Sequence, residues 1–446
     1  MKQMSGAVLS ALALSIAVMM RMAAWGAGFS LYEASSVGTA MGGALVGKAC
    51  DASANFYNPA TLSDLTNITV TLGFVTEHPR SRIKVNGEME GALDPGFFVL
   101  PHFQLAVPLP WDFAFGLGID PEFGLGTSYD DKWAMNWNSV ETTVQGFVLN
   151  PNLSYAITDW WSLAVGLRWL YFDFEQSSCP QNPYGSLSNR LKANNRFVNF
   201  GWQLGTRFKV TGDFSVGAVY KSKIDATVRG KCDTDMDGVN VGAVGMAAQG
   251  VVQQYALMGK SLAMSQAQGA VLRQVCQGVR AANGPAEADI ELPQSLAVGF
   301  NWDITKKWHF GSAFSWTDWS SIDTLVFQLP QGNTPYEMRW KDSYRIALAP
   351  SWDFADDWTA MVSYVYDTNA CSGEQESVML PPGGRHIMTF GISWRCWRGM
   401  ELALSYGIVF MESMDMHVRD AHGRDYEMSS HRGLSHAAGL SVTYRF

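Results

Sequence analysis

Along most of this chain apolar and polar residues alternate one by one. In the last stretch Ala438, Leu440, Val442, Tyr444 and Phe446 fall on one side, with Gly439, Ser441, Thr443 and Arg445 on the other. The same period sets Leu402, Leu404, Tyr406, Ile408 and Phe410 against Glu401, Ala403, Ser405 and Gly407. It also sets Val198, Phe200, Trp202, Leu204 and Phe208 against Asn199, Gly201, Gln203, Gly205 and Arg207. Successive side chains of a strand point to opposite faces, so each segment has one oily face and one small or polar face. The sequence offers no helices to cover these oily faces, and the polar faces must meet something wet. Strands are expected to begin near Asn67, Phe97, Asp112, Glu141, Trp160, Arg196, Asp213, Asp289, Lys307, Met338, Asp357, Arg385, Met400 and Gly433. That is about fourteen, an even number of the kind closed membrane barrels have. Short turns such as "VTGD", "DITKK", "DFADD" and "RCWRG" alternate with long polar segments near Ser81, Asp130, Ser178, Cys232, Gln331, Gly373 and Asp415. A barrel with short turns on one rim and long loops on the other predicts this alternation. Trp160, Trp161, Trp308, Trp358 and Tyr444, near strand ends, suit interfacial belts.

Composition agrees with a lipid-facing wall. Only 16% of the 446 residues are charged and 13% are aromatic, while the mean hydropathy of -0.03 stays near zero because every second residue is polar. After the amino terminus no window offers the roughly 18 uncharged apolar residues of a spanning helix. The one long apolar run, Ala7 to Met20, follows Lys2 and precedes "AAWGAGF", where Ala24 and Gly26 are small residues of a cleavage site. Residues 1–26 are therefore expected to be a signal peptide. Export permits disulfides among Cys50, Cys179, Cys232, Cys276, Cys371 and Cys396, four of them in long polar segments, and loop staples are the expected role. No zinc-type spacing occurs, and no metal or cofactor is expected. The net charge of -9 argues against nucleic acid as a partner. His386, His431 and His436 lie near the external rim without a GxSxG nucleophile elbow, so no enzyme activity and no catalytic residues are expected.

In front of the first strand the alternation breaks at "FYNPATL". Asn58 is suited to cap the three amides that follow, and Pro59, with fixed φ and no N–H, suits the first position of a short helix. Before it, six of the ten residues from Gly38 to Gly47 are Gly or Ala with no charge, unlike a solvated tail. The stretch "AGFSLYEASSVGTAMGGALVGKACDASANFYNPATL", Ala27 to Leu62, resembles the amino-terminal hatch of the FadL/TodX family of outer-membrane transporters for long-chain fatty acids and other hydrophobic compounds. "FGLGTSYDDKW", "ELPQSLAVGF", "WTDWSSID", "WKDSYRIALAP", "RHIMTFGISWR" and the terminal Phe446 extend the resemblance over nearly the whole mature chain.

The resemblance implies a 14-stranded antiparallel β-barrel over 67–446, with its longest external loop at 231–288. It implies a hatch at 27–66 plugging the lumen, with Asn58, Pro59, Ala60, Gly42 and Gly43 as gate residues. It further implies a monomer in the outer membrane of a Gram-negative bacterium, with membrane lipid and a hydrophobic small molecule as partners. Cargo would be captured outside, pass the hatch and exit laterally through an interruption in the third strand. Fatty acids are the expected cargo; aromatic or alkane hydrocarbons, or a general porin, are the alternatives. Asp120, Pro121, Phe123 and Gly124 are the candidate interruption, since proline removes a ladder hydrogen bond and glycine weakens a strand. The competing reading has Pro121 merely mark the strand's exit. Met246, Val251, Tyr255, Leu257, Met258, Leu262 and Met264 are candidates for an external capture groove, flexible Met suiting varied apolar ligands, against a helix pair that packs only on itself. Alternation turns Arg168, Arg207 and Arg345 to the lumen, where they could hold an acid head group or pair with acids such as Asp173 and Glu401. "DTDMDG", Asp233 to Gly238, has calcium-loop spacing, but Val244 stands where the closing Glu belongs, and a solvated acidic loop is expected.

Overall fold

Fourteen strands form the wall, and we number them in chain order: β1 Thr69–Val85, β2 Phe98–Pro108, β3 Phe113–Ser128, β4 Glu141–Thr158, β5 Trp161–Ser178, β6 Asn199–Lys209 and β7 Phe214–Lys221, then β8 Ser295–Asp303, β9 Trp308–Thr317, β10 Ser343–Ala355, β11 Trp358–Asp367, β12 Arg385–Trp397, β13 Met400–Met411 and β14 Asp425–Arg445. The computed structural model describes residues 28–446 apart from 94–95, 183, 372–377, 380–382 and 421–422. The proposed signal peptide lies outside the described residues. Neighbouring strands pair antiparallel, and β1 closes the ring on β14 from Thr69↔Arg445 upward. Closure leaves no sheet edge for lipid to desolvate, which is why a strand protein can span a bilayer.

Alternation sorts the residues as the period of two requires. On β5 the outward Leu163, Val165, Leu167 and Trp169 are exposed while Ala164, Arg168 and Leu170 are buried. Indole pairs ring the short-turn rim, Trp308 stacking on Trp352 at 5.3 Å and Trp358 on Trp394 at 5.1 Å. No helix among the described residues is long and apolar enough to cross a membrane.

The long-loop end departs from the sequence expectation because several strands continue past the wall. The eighth wall strand starts at Ser295, since Gly284–Leu292 belongs to an outer sheet beside Ile224–Val239 and Gly185–Asn194. The last strand starts at Asp425 rather than near Gly433. Asp233 to Gly238 is not a loop: it lies in Ile224–Val239, paired with Ser186 to Arg190, so the segment is held as extended strand and not in the turn a calcium loop needs. Under these strands an apolar dome includes Leu93, Phe174, Phe327, Trp340 and Met416. The expected loop staples are not formed among the six cysteines; tertiary packing of this dome holds the loops instead.

Candidate functional site

Residues 28–66 lie inside the wall. α1, Ser36–Ala40, begins with Ser35 accepting from the Gly38 amide and is buried throughout. It ends in a tight turn at Gly42 (φ +57°), where a Cβ would stand 2.5 Å from Val365 Cγ2 of β11. Glycine is required there both by the left-handed backbone and by the wall. α2, Ala54–Tyr57, leads directly into a 3-10 helix, Pro59–Asp64. Asn58 caps one amide rather than three, because the tighter helix brings only Ala60 N within reach, at 3.1 Å from Oδ1. Its Nδ2 donates to Val46 O (2.7 Å) and Thr206 O of β6 (3.0 Å). One side chain thus ties the helix to the rest of the segment and to the wall. Nearby, Asn55, Asn150, Asn152 and Gln203 bond to one another across the same contact. Burial pushes the Asp51 carboxyl above the usual carboxylate range, against the opposing hydrogen bonds from Ser53.

The wall has a seam beside this plug. β2 and β3 pair only from Phe103↔Ile119 to Pro108↔Ala114. Above that, among the described wall strands, β2 pairs with β1 and β3 with β4, and not with each other. β3 itself continues to Ser128, so Pro121 does not mark the strand's exit; it sits at a bulge where the register against β4 shifts between Pro121 and Phe123, leaving Glu122 as the extra residue. Gly146 makes the bulge possible, since a Cβ there would lie 2.7 Å from that of Phe123. The plug fills the open side of β3: Leu31 N donates to Glu122 O (2.9 Å) and Gly124 N to Phe29 O (2.8 Å). Phe29 is clamped by Trp319 at 4.7 Å and Phe123 at 5.9 Å between ring centroids.

Glu122, freed by the bulge, turns inward and gathers two cations. Arg168 Nη2 lies 2.9 Å and Lys221 Nζ 2.6 Å from its carboxylate, and Lys221 also sits 3.7 Å above the Phe56 ring of the plug. These groups line a cavity of about 60 Å³ with Leu31, Val46 and Val219. That is room for a few water molecules, so any larger cargo requires the plug to move.

Of the expected cations only Arg168 reaches this cavity. Arg207 pairs with Asp64 at the end of the 3-10 helix. Arg345 pairs with Asp367 at 2.8 Å and covers the Tyr32 ring at 4.1 Å. Neither Asp173 nor Glu401 is a partner of these arginines; Glu401 pairs with Arg445 at 2.8 Å. Glu122 and Lys221 went unrecognised: Glu122 beside Pro121 is a signal only if the strand is read as bulged rather than broken. The expected capture groove is corrected as well. α3, Val241–Leu257, and α4, Met264–Ala282, pack on each other through Val244, Ala248, Ala267 and Val271, with Val251 and Leu262 against them. Leu257 is 90% and Met258 60% exposed, with Met246 also outward, so the seven residues do not line one groove.

Comparison with known proteins agrees with this architecture. A long-chain fatty acid transport protein of Salmonella typhi is 22% identical over 462 residues, covering 98% of each chain. The protein of the same description from Escherichia coli K12 is 21% identical over 475 residues, again 98% of each. The crystal structure of a Pseudomonas aeruginosa FadL homologue superposes with a TM-score of 0.77 at 19% identity, over 94% of this chain and all of that one. The Ralstonia pickettii toluene transporter TbuX superposes at 0.65 with 14% identity, over 93% of this chain and 100% of that one. The family model of outer membrane transport proteins (OMPP1/FadL/TodX) matches residues 17–446. With its closed fourteen-stranded wall, the chain belongs to that family of the Gram-negative outer membrane.

Proposed function

We propose that this protein acts as a monomer that passes long-chain carboxylic acids passively from outside into the outer membrane, without any catalytic step. The seam between β2 and β3, stoppered by Phe29 to Leu31 and backed by two cations sharing one carboxylate, carries the reading. Arg168 and Lys221 against Glu122 leave one net positive charge facing a small apolar-walled cavity, which suits a carboxylate head group entering with its chain. Movement of the plug away from β3 would join cavity, seam and lipid. The relatives described as fatty acid transport proteins support this cargo. The aromatic clamp of Phe29, Phe123, Trp319 and Trp340, with the likeness to TbuX, favours monoaromatic hydrocarbons as the second reading. The filled lumen weighs against a general porin.

The test is uptake by cells expressing the protein, supplied at low concentration with a long-chain fatty acid, its methyl ester or toluene. A Lys221→Met variant should lose uptake of the acid and keep that of the two neutral compounds. Equal effects on all three, or a wild-type preference for toluene, would refute the carboxylate reading.

A further inference from the structure

The lower end of the seam is bridged by two side chains. The β2–β3 ladder stops at Phe103↔Ile119, the uppermost of six paired rungs that lead down toward the short-turn rim. The next residue of β3, Asp120, pairs at the backbone with Val148 of β4, and the next residue of β2, His102, pairs with Gly73 of β1. Asp120 nevertheless reaches back across the gap. Its Oδ1 accepts from Nε2 of Gln104, one rung below the last. Gln104 is 0% and Asp120 1% exposed, so this contact lies wholly inside the wall.

That bond leaves two buried oxygens, Gln104 Oε1 and Asp120 Oδ2, without a hydrogen-bond partner. Both flank one point beside Gly118, which stands opposite Gln104. A Cβ there would lie 2.6 Å from Gln104 Oε1 and 2.7 Å from Asp120 Oδ2. The neighbouring polar groups are engaged elsewhere. Asn55 Nδ2 of α2 covers the same point at 2.9 Å but donates to Asn150 O. Lys221 and Arg168 are both drawn to Glu122, at 2.6 and 2.9 Å, and among the described residues Asp120 makes no ion pair. Tyr57 Oη donates to Tyr32 O at 2.6 Å, and His102 Nε2 is bonded to Ser441 at 2.9 Å.

A bare carboxylate at this place would set an unpaired charge against the amide oxygen of Gln104, which is costly for buried groups. One proton removes both faults. A protonated carboxyl donates through one oxygen and accepts through the other, a primary amide likewise donates and accepts, and the two groups close a ring of two hydrogen bonds. We propose that Asp120 keeps its proton and forms with Gln104 a neutral latch between β3 and β2, which sets the lower limit of the seam. On the reading of the seam as the exit, cargo leaves only above Gln104, while the rungs beneath stay shut.

The test uses the purified full chain in detergent, each variant checked for folding by heat-modifiable migration. At neutral pH the infrared difference between wild type and Asp120→Asn should contain the carbonyl band of a protonated carboxyl, shifting in heavy water. Hydrogen exchange over 103–105 and 117–119 should be about tenfold or more faster in Gln104→Leu, which removes both bonds. Asp120→Asn, whose amide closes the same ring, should exchange like the wild type. The swap Asp120→Asn with Gln104→Glu, which trades acid and amide across the gap, should do so too and regain the band. Absence of the band in the wild type, unchanged exchange in folded Gln104→Leu, or a folded swap that exchanges as fast as Gln104→Leu would each overturn the latch. The band decides by itself should Gln104→Leu fail to fold. Neither readout involves transport, so a chain that carries no fatty acid leaves both results standing.

Discussion

Asn58→Ala tests whether the plug is held by one side chain. Asn58 is fully buried, and its loss removes three hydrogen bonds: from Ala60 N, to Val46 O and to Thr206 O. Each is worth about 1 kcal/mol net, more where a buried partner is left unsatisfied. Thr206 O also belongs to the β6 ladder with Ala218, so its loss counts least. Capping alone contributes about 1 kcal/mol. The sum is about 2–3 kcal/mol, all of it local, because the wall ladders close without the plug. Opening of the plug should then become roughly 30- to 150-fold more frequent. Folding and insertion should be intact by heat-modifiable migration, while planar-bilayer conductance and swelling of proteoliposomes in small sugars rise. A folded variant whose conductance and swelling match the wild type within twofold would refute the idea that this contact holds the lumen shut.

Further outcomes follow from single contacts. Gly42→Val should open the lumen more than Asn58→Ala, because a Cβ at φ +57° meets Val365 at 2.5 Å and Ser363 at 2.8 Å; the same swelling assay reads it. Phe29→Ala removes the ring held by Trp319 and Phe123 and should cost about 3–5 kcal/mol locally, seen as faster hydrogen exchange at Leu31 and Gly124 with β13 and β14 unchanged. Leu257→Asp with Met258→Asp alters only exposed side chains, so stability should change by less than about 0.5 kcal/mol and fatty acid uptake should stay the same; a loss of uptake would restore these residues to the capture route.

The wall was legible in the sequence because its signal is local: a period of two needs only the residues of one strand, and Leu402 to Phe410 or Ala438 to Phe446 declare their faces unaided. The Asn-Pro turn was legible for the same reason, since Pro59 presets its own φ and Asn58 reaches an amide two residues on. Tertiary structure decided what depends on neighbours. Glu122 is an extra residue only relative to β4, where Gly146 leaves space for the bulge. Its partners come from β5 and β7, 46 and 99 residues away, and no spacing along the chain encodes which arginine or lysine lands there. Asp233 to Gly238 became strand because Gly185–Asn194 offered it a ladder, although its composition is that of a loop. Local alternation chose the faces; strand register and barrel closure chose which charges meet, because pairing across a sheet is set by how whole strands align.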